Sequence, residues 1–357
     1  MGALSRTTLV TVAAALGAVY LGRRLLRGRP LDLRGKVVVI TGGSRGLGLV
    51  LARQLARHGC RLAICARDEH ALDRARRDLE RLGAEVLAQV CDVTDPDEVR
   101  GFISSVEARF GDIDVLINNA GIIQVGPLEV MTKEDFARAM AVNFWGTFHT
   151  TMAVLPGMRE RKTGRIVNVT SIGGKIAVPH LLPYSAGKFA AVGFSEGLAA
   201  EVAKDGIVVT TVVPGLMRTG SPANALFKSK AEQEYTWFTI GDSLPLTSMS
   251  AERAARRIVK ALRRGETEVT LSWQAKTLRL AHGIVPGLMT RLFGFVNRLL
   301  PEPGGIGHEE RRGVELAMEQ PPSRLTWLSD RAARRNNEYN GMRPPSFSHA
   351  HEVERPH

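Results

Sequence analysis

The sequence predicts an α/β fold: a doubly wound parallel sheet with helices on both faces. Three observations predict it. Short apolar runs alternate with helical segments from residue 36 to about 271. The runs are apolar throughout rather than at every second position, as strands buried on both faces must be. The first run ends in a glycine cluster that opens a helix, an arrangement suited to an anion.

Residues 36–41 read as the first strand, and 47–58 follow with helical periodicity. A second strand covers 61–66, and 69–82 form a charged amphipathic helix closed by Gly83. Residues 85–93 are strand-like, 96–110 are a helix with Pro96 at its start, and 113–117 are the next strand. The alternation continues with a strand at 164–170, a helix from about Tyr184, a strand at 207–213, a helix at 251–264 and a strand at 268–271. Right-handed crossovers wind such a chain into a Rossmann-like sheet.

Composition narrows the function. The 357 residues are 44% hydrophobic and 24% charged, a globular balance. Net charge is +12, which invites a nucleic-acid reading. Arg53, Arg57, Arg74, Arg76, Arg77 and Arg81, however, lie on predicted helices among Asp and Glu. No basic stripe carries stacking aromatics, so no nucleic-acid partner is expected; an anionic cofactor or membrane surface accounts for the charge. Cys60 and Cys65 point to opposite faces of one strand, and an odd count of three suggests buried, reduced thiols in a cytosolic compartment.

Four segments are expected: 1–30, 31–272, 273–301 and 302–357. Residues 7–21 are apolar and uncharged. As a helix they span roughly 22 Å, short of a ~30 Å hydrocarbon core. They read as a membrane anchor or interfacial helix, a cleaved signal, or a helix packed on the protein. Arg23, Arg24, Arg27 and Arg29 suit lipid headgroups on the cytoplasmic side and are a poor setting for cleavage. The 273–300 stretch is rich in Leu, Met and Phe, but Lys276, Arg279, Arg291, Arg298 and Pro286-Gly287 interrupt it too often for a span. It lies on a membrane, covers the substrate cleft, or packs on the sheet domain as a helical pair. Residues 302–357 read as a mostly irregular tail with at most one short helix, and His349, His351 and His357 as solvated tail residues rather than a metal site.

The glycine cluster is Thr41-Gly-Gly-Ser-Arg-Gly-Leu-Gly48. Missing side chains at Gly42, Gly46 and Gly48 let backbone approach a pyrophosphate at the positive end of the next helix. Ser44, Arg45 and Leu47 belong to the same turn. A carboxylate at the end of the second strand would accept from an adenosine ribose and repel a 2′-phosphate. Here that position is Ala66, followed by Arg67. With Arg45, two guanidinium groups favour NADP(H), although Asp68 can blunt their field.

Tyr184 and Lys188 sit one helical turn apart on one face. Bringing a phenol from its ordinary pKa near 10 to near 7 costs roughly 4 kcal/mol. A nearby ammonium in a partly desolvated site supplies much of that, and an oxidised nicotinamide adds positive charge. Tyr184 could then exchange a proton with a carbonyl or alcohol oxygen. Ser171 and its neighbour Thr170 end a strand thirteen positions or so upstream.

The glycine cluster, Asn118-Asn-Ala-Gly121, Ser171 and Tyr184-Ser-Ala-Gly-Lys188 resemble the motifs of the short-chain dehydrogenases/reductases, over about residues 31–272. The resemblance implies that Ser171 orients the substrate oxygen, that Tyr184 is the acid/base, and that Lys188 modulates it and holds the nicotinamide ribose. It implies that Asn143 completes a water-linked proton relay. Asn118, Asn119, Ala120 and Gly121 match a loop beside the adenosine ribose, and Asp92 with Val93 the adenine contact. Pro214, Gly215 and Thr219 match the segment holding the nicotinamide carboxamide. The family also implies a substrate-covering segment at 220–246, here with Leu226, Phe227, Tyr235, Trp237, Phe238 and Ile240, and a homo-oligomer. The aromatics line a lipophilic cleft or pack as a core flap. The activity implied is interconversion of a carbonyl and an alcohol on a small molecule. The rival is a catalytically silent NADP-binding sensor or scaffold at a membrane.

Overall fold

The computed structural model describes residues 30–342, apart from 246, 320–322, 324 and 340. The expected helix at 7–21 and the terminal histidines lie outside the described residues.

Seven strands make the central sheet: β1 (Val37–Thr41), β2 (Arg61–Ala66), β3 (Val86–Val90), β4 (Val115–Asn118), β5 (Gly164–Val169), β6 (Ile207–Val213) and β7 (Glu268–Thr270). Their order is β7-β6-β5-β4-β1-β2-β3, every pair parallel. The chain runs outward one way from β1 and the other way from β4. The topological switch point, where ligands of open α/β sheets bind, therefore lies beyond the ends of these two strands.

The helices are α1 (Gly46–Arg57), α2 (Glu69–Glu80), α3 (Pro96–Phe110), α4 (Lys133–Met140), α5 (Gly146–Glu160), α6 (Leu182–Val202), α7 (Ala231–Ser243) and α8 (Ala251–Arg264), then α9 (Trp273–Ile284), α10 (Pro286–Asn297), α11 (Gly313–Glu319) and α12 (Trp327–Arg335). Local chemistry starts and stops them. Asp95 caps α3 by accepting from the N–H groups of Asp97 and Glu98, and Gly111 at φ 77° ends it. Ser250 caps α8, and Gly265 in the left-handed region closes it. One core layer joins α1, α2 and α8 to the sheet through Leu51, Leu55, Leu79 and Ile258. The opposite layer joins α3, α5 and α6 through Phe102, Val106, Leu155 and Val202. Burying Phe102 fully contributes about 2–3 kcal/mol.

One expectation needs correction. The described part of the tail holds two short helices rather than at most one, α11 and α12, and a two-residue strand, Arg311–Arg312, antiparallel to Leu226–Phe227. Leu226–Phe227 in turn runs parallel to Gln124–Val125, so the tail completes a small second sheet. The helical pair after β7 forms, but it does not pack into the domain. Only Ala275 and Met289 are buried on α9 and α10, while Trp273, Leu280, Ile284, Leu288, Phe295 and Leu299 are more than half exposed. Among the described residues, no helix is long and apolar enough to cross a membrane.

Candidate active site

The glycine turn sits at the switch point. Gly42 (φ 62°) faces Ala120, and a Cβ there would lie 2.9 Å from the Ala120 Cα. A Cβ on Gly48 would run into the Gly42 carbonyl and lie 2.6 Å from Asn119 Nδ2. Asn119 explains why the two loops meet: its Nδ2 donates to the carbonyls of Thr41 and Gly42, at 3.2 and 3.1 Å. Thr41 Oγ1 accepts from the backbone of Asn119 and Ala120. Leu47 is buried, α1 has no side-chain cap, and its first turn holds no acidic residue. This positive helix end and its glycine turn suit a dinucleotide diphosphate, with the Asn336 carbonyl and the Glu338 carboxylate lying against its first glycine, Gly46.

At the expected adenosine end, Asp68 has a structural task. It caps α2, its carboxylate accepting from Ala71 N at 2.9 Å. Arg67 lies 3.6 Å from Asp92, and Arg45 lies 3.8 Å from Glu338. Both separations are ion pairs too long for hydrogen bonds. Asp92 also accepts from Thr94, and Val93 packs where a side chain on Gly146 would fall. At the other end, the Pro214 carbonyl accepts from Ile172 N, which ties the two segments after β5 and β6 together. Gly215 faces Ser272, and Thr219 is buried with its hydroxyl accepting from Ser221 N.

The candidate catalytic residues converge. Ser171 follows β5, and its Oγ accepts from Gly173 N at 3.0 Å and meets the Tyr184 phenol. A Cβ on Gly173 would lie 3.2 Å from Tyr184 Cε1 and 3.3 Å from Ser171 Oγ. Thr170, the rival hydroxyl, is engaged elsewhere: it donates to the Val212 carbonyl at 2.6 Å and is buried. Lys188 is buried, with Nζ 5.8 Å from the Tyr184 ring centroid and donating to the Val169 carbonyl at 3.1 Å. Asn143 occupies a π-helical turn (Ala141–Trp145) between α4 and α5, a form of helix frequent at functional sites. Its amide brackets Ile122, accepting from the N–H and donating to the carbonyl, both at 3.2 Å. Gly121 lies between Asn143 and Lys188: a Cβ there would fall 2.9 Å from Asn143 Oδ1 and 3.3 Å from Lys188 Nζ.

Electrostatics refine the expectation for Tyr184. Burial pushes its pKa above the usual phenol value, against the lowering hydrogen bond from Ser171. Burial also lowers Lys188 to about 8. The chain's own groups therefore hold the phenol protonated and keep the ammonium charged at neutral pH.

Sequence reasoning missed the support behind this site. Asn118 and Asn168 face each other across β4 and β5. Asn118 Nδ2 donates to Asn168 Oδ1 and Thr151 Oγ1, and Thr150 donates to Asn118 Oδ1 at 2.6 Å. Asn168 then donates to Ser195, which meets Thr211 at 2.7 Å. This fully buried chain pins α5 and α6 to the sheet, and with them Asn143 and Tyr184. Only Asn118 was singled out beforehand, and isolated polar residues on apolar strands were the available signal. In the flap, Phe227, Tyr235 and Phe238 pack as a core with Val125 and Leu316 rather than lining a cleft.

The family model described as short chain dehydrogenase matches residues 36–228. A "Dehydrogenase/reductase SDR family protein 7-like" of Anopheles gambiae is 39% identical over 67% of this chain and 76% of its own length. A "Putative ketoacyl reductase" of Streptomyces coelicolor is 40% identical over 53% of this chain and 73% of its own. Among solved structures, an actinorhodin polyketide ketoreductase with NADPH superposes with a TM-score of 0.60 at 31% identity, covering 66% of this chain and 95% of that one.

Proposed function

Because this chain belongs to the short-chain dehydrogenase family, we propose that it interconverts a carbonyl and an alcohol with NADP(H), Tyr184 moving the hydroxyl proton. The convergence of Ser171, Tyr184 and Lys188 carries this reading. Ser171 and Tyr184 donate to one substrate oxygen and polarise it. Tyr184 then passes its proton to that oxygen in reduction, or takes it in oxidation. Lys188 holds a buried positive charge beside the phenol and orients the cofactor ribose, and Asn143 positions the far end of a proton path. When bound, a nicotinamide dinucleotide exchanges the hydride and, oxidised, adds positive charge near the phenol. The glycine turn, Asn119–Gly121 and Pro214–Thr219 would hold it.

Ala66 at the end of β2, with Arg45 and Arg67, supports a 2′-phosphorylated cofactor, and the ketoreductase neighbour's NADPH agrees. The exposed apolar face of α9 and α10, flanked by Arg291 and Arg298, supports a lipophilic substrate reached from a membrane surface. Exposed Trp145 and Met152 on the α5 side and Phe189 on α6 support a homo-oligomer through these helices. A panel of ketones, aldehydes and alcohols, followed at the nicotinamide absorbance with NADPH and NADH, tests the reading. Turnover with NADPH preferred is expected. Silence across the panel supports a sensor instead, and a clear NADH preference refutes the cofactor. Sedimentation with anionic vesicles tests the membrane surface, where no binding at low salt would discard it.

A further inference from the structure

The C-terminal segment runs along the length of the candidate dinucleotide site. At the nicotinamide end, Asn336 Nδ2 donates to the Thr219 carbonyl at 3.1 Å, and a Cβ on Gly220 (φ 91°) would strike Ala333. At the diphosphate end, Gly46 N donates to the Asn336 carbonyl at 2.9 Å. At the adenosine end, Asn337 Nδ2 donates to the carbonyls of Ser44 and Ala71, at 2.8 and 3.1 Å, and its Oδ1 accepts from Arg74 Nε. Arg53 on α1 donates to the carbonyl of Arg335. Residues 333–339 thus bridge the glycine turn and α2 on one half of the sheet to the segment after β6 on the other.

Glu338 is the unusual member. It is a carboxylate only 4% exposed, set against the bare glycine at the start of α1. Asn224 Nδ2 donates to Oε2 at 2.6 Å, and Arg45 is its one cation among the described residues, at 3.8 Å. An acid in this position opposes any phosphate brought to Arg45.

We propose that residues 333–339 form a wall of the dinucleotide site, and that Glu338, by sharing Arg45, sets how strongly the site prefers a 2′-phosphorylated dinucleotide. The inference rests on the NADP(H) reading. In this arrangement Arg45 lies in ion-pair range of Glu338, and a phosphate must compete with that carboxylate for it. Burial raises Glu338 to about 7, so the acid is already the weaker holder of the two.

The test measures dissociation constants of NADPH and NADH for the full chain and for Glu338→Gln, which keeps the shape and an oxygen for Asn224. NADPH binding is expected to tighten roughly fivefold, the worth of one partly buried ion pair, with NADH changed less than twofold. In an Arg45→Gln background the same substitution should change neither. Should Glu338→Gln unfold, Glu338→Asp, which withdraws the carboxylate from Arg45, should give the same selective tightening. Equal effects on both cofactors, or none, overturn the proposal. Equal affinities of the unmodified chain for both cofactors would refute the NADP(H) reading alone, since the selective tightening would still be required.

Discussion

Lys188→Met is expected to make the protein more stable while abolishing turnover. Lys188 is 5% exposed, and its only polar partner among the described residues is the Val169 carbonyl, at 3.1 Å. Burial lowers its pKa from 10.5 to about 8. At 1.36 kcal/mol per pH unit, holding the charged form inside costs about 3 kcal/mol at neutral pH. Met fills the same volume without charge and forfeits one hydrogen bond worth about 1 kcal/mol, leaving a gain of about 2 kcal/mol. The sign follows from proton counting. Between pH 8 and 10.5 the unfolded chain binds a proton at this lysine and the folded chain does not, so stability rises with pH across that window. Below pH 8 both states are protonated and the penalty is constant. Urea unfolding at pH 7 and pH 10 reads both effects: the variant should be more stable at pH 7, and the advantage should shrink by pH 10. A variant equal to or weaker than the parent at pH 7 would refute the claim that this site holds a costly, functional charge.

Two other predictions follow the same reasoning. Gly48→Ala places a methyl against the Gly42 carbonyl and Asn119, backbone and side chain that anchor two loops, so it should cost about 1–3 kcal/mol and weaken dinucleotide binding at least tenfold by titration. Asp242, buried on α7, accepts from Met217 N and Ser329 Oγ, and burial raises its pKa to about 7. The folded chain holds that proton from about pH 4 to 7 while the unfolded chain has lost it, so this group's contribution falls as pH rises through that window. Asp242→Asn should therefore match the parent near pH 4 and exceed it by a margin that grows up to about pH 7 and persists at pH 8 in thermal unfolding; a variant weaker at pH 8 would contradict the buried-acid assignment.

The strands were legible because both faces are buried. Arg61–Ala66 and Ile207–Val213 are found where continuous apolar runs place them. The candidate site was legible because it is local: Tyr184 and Lys188 are four apart, and the glycines fall within one turn. Asn143 was harder. It lies in a π-helical turn, its amide pairs with Ile122 twenty-one positions earlier rather than locally, and Gly121 stands between it and Lys188. The tail was illegible for a physical reason. Asn336, Asn337 and Glu338 attach through polar side chains and backbone carbonyls rather than an apolar stripe, so no periodicity announces them. The α9 and α10 pair was legible as helices but its placement was not, since an amphipathic pattern does not say what covers its apolar face.

Everything in the proposed chemistry requires the Tyr184 phenol to deliver a proton to an oxygen that Ser171 also holds. Tyr184→Phe removes that hydroxyl and nothing else, so NADPH titration and ketone turnover on one preparation test it most directly. Unchanged NADPH affinity with turnover reduced at least a hundredfold is predicted. Turnover within a few fold of the parent, with the cofactor bound normally, would contradict it.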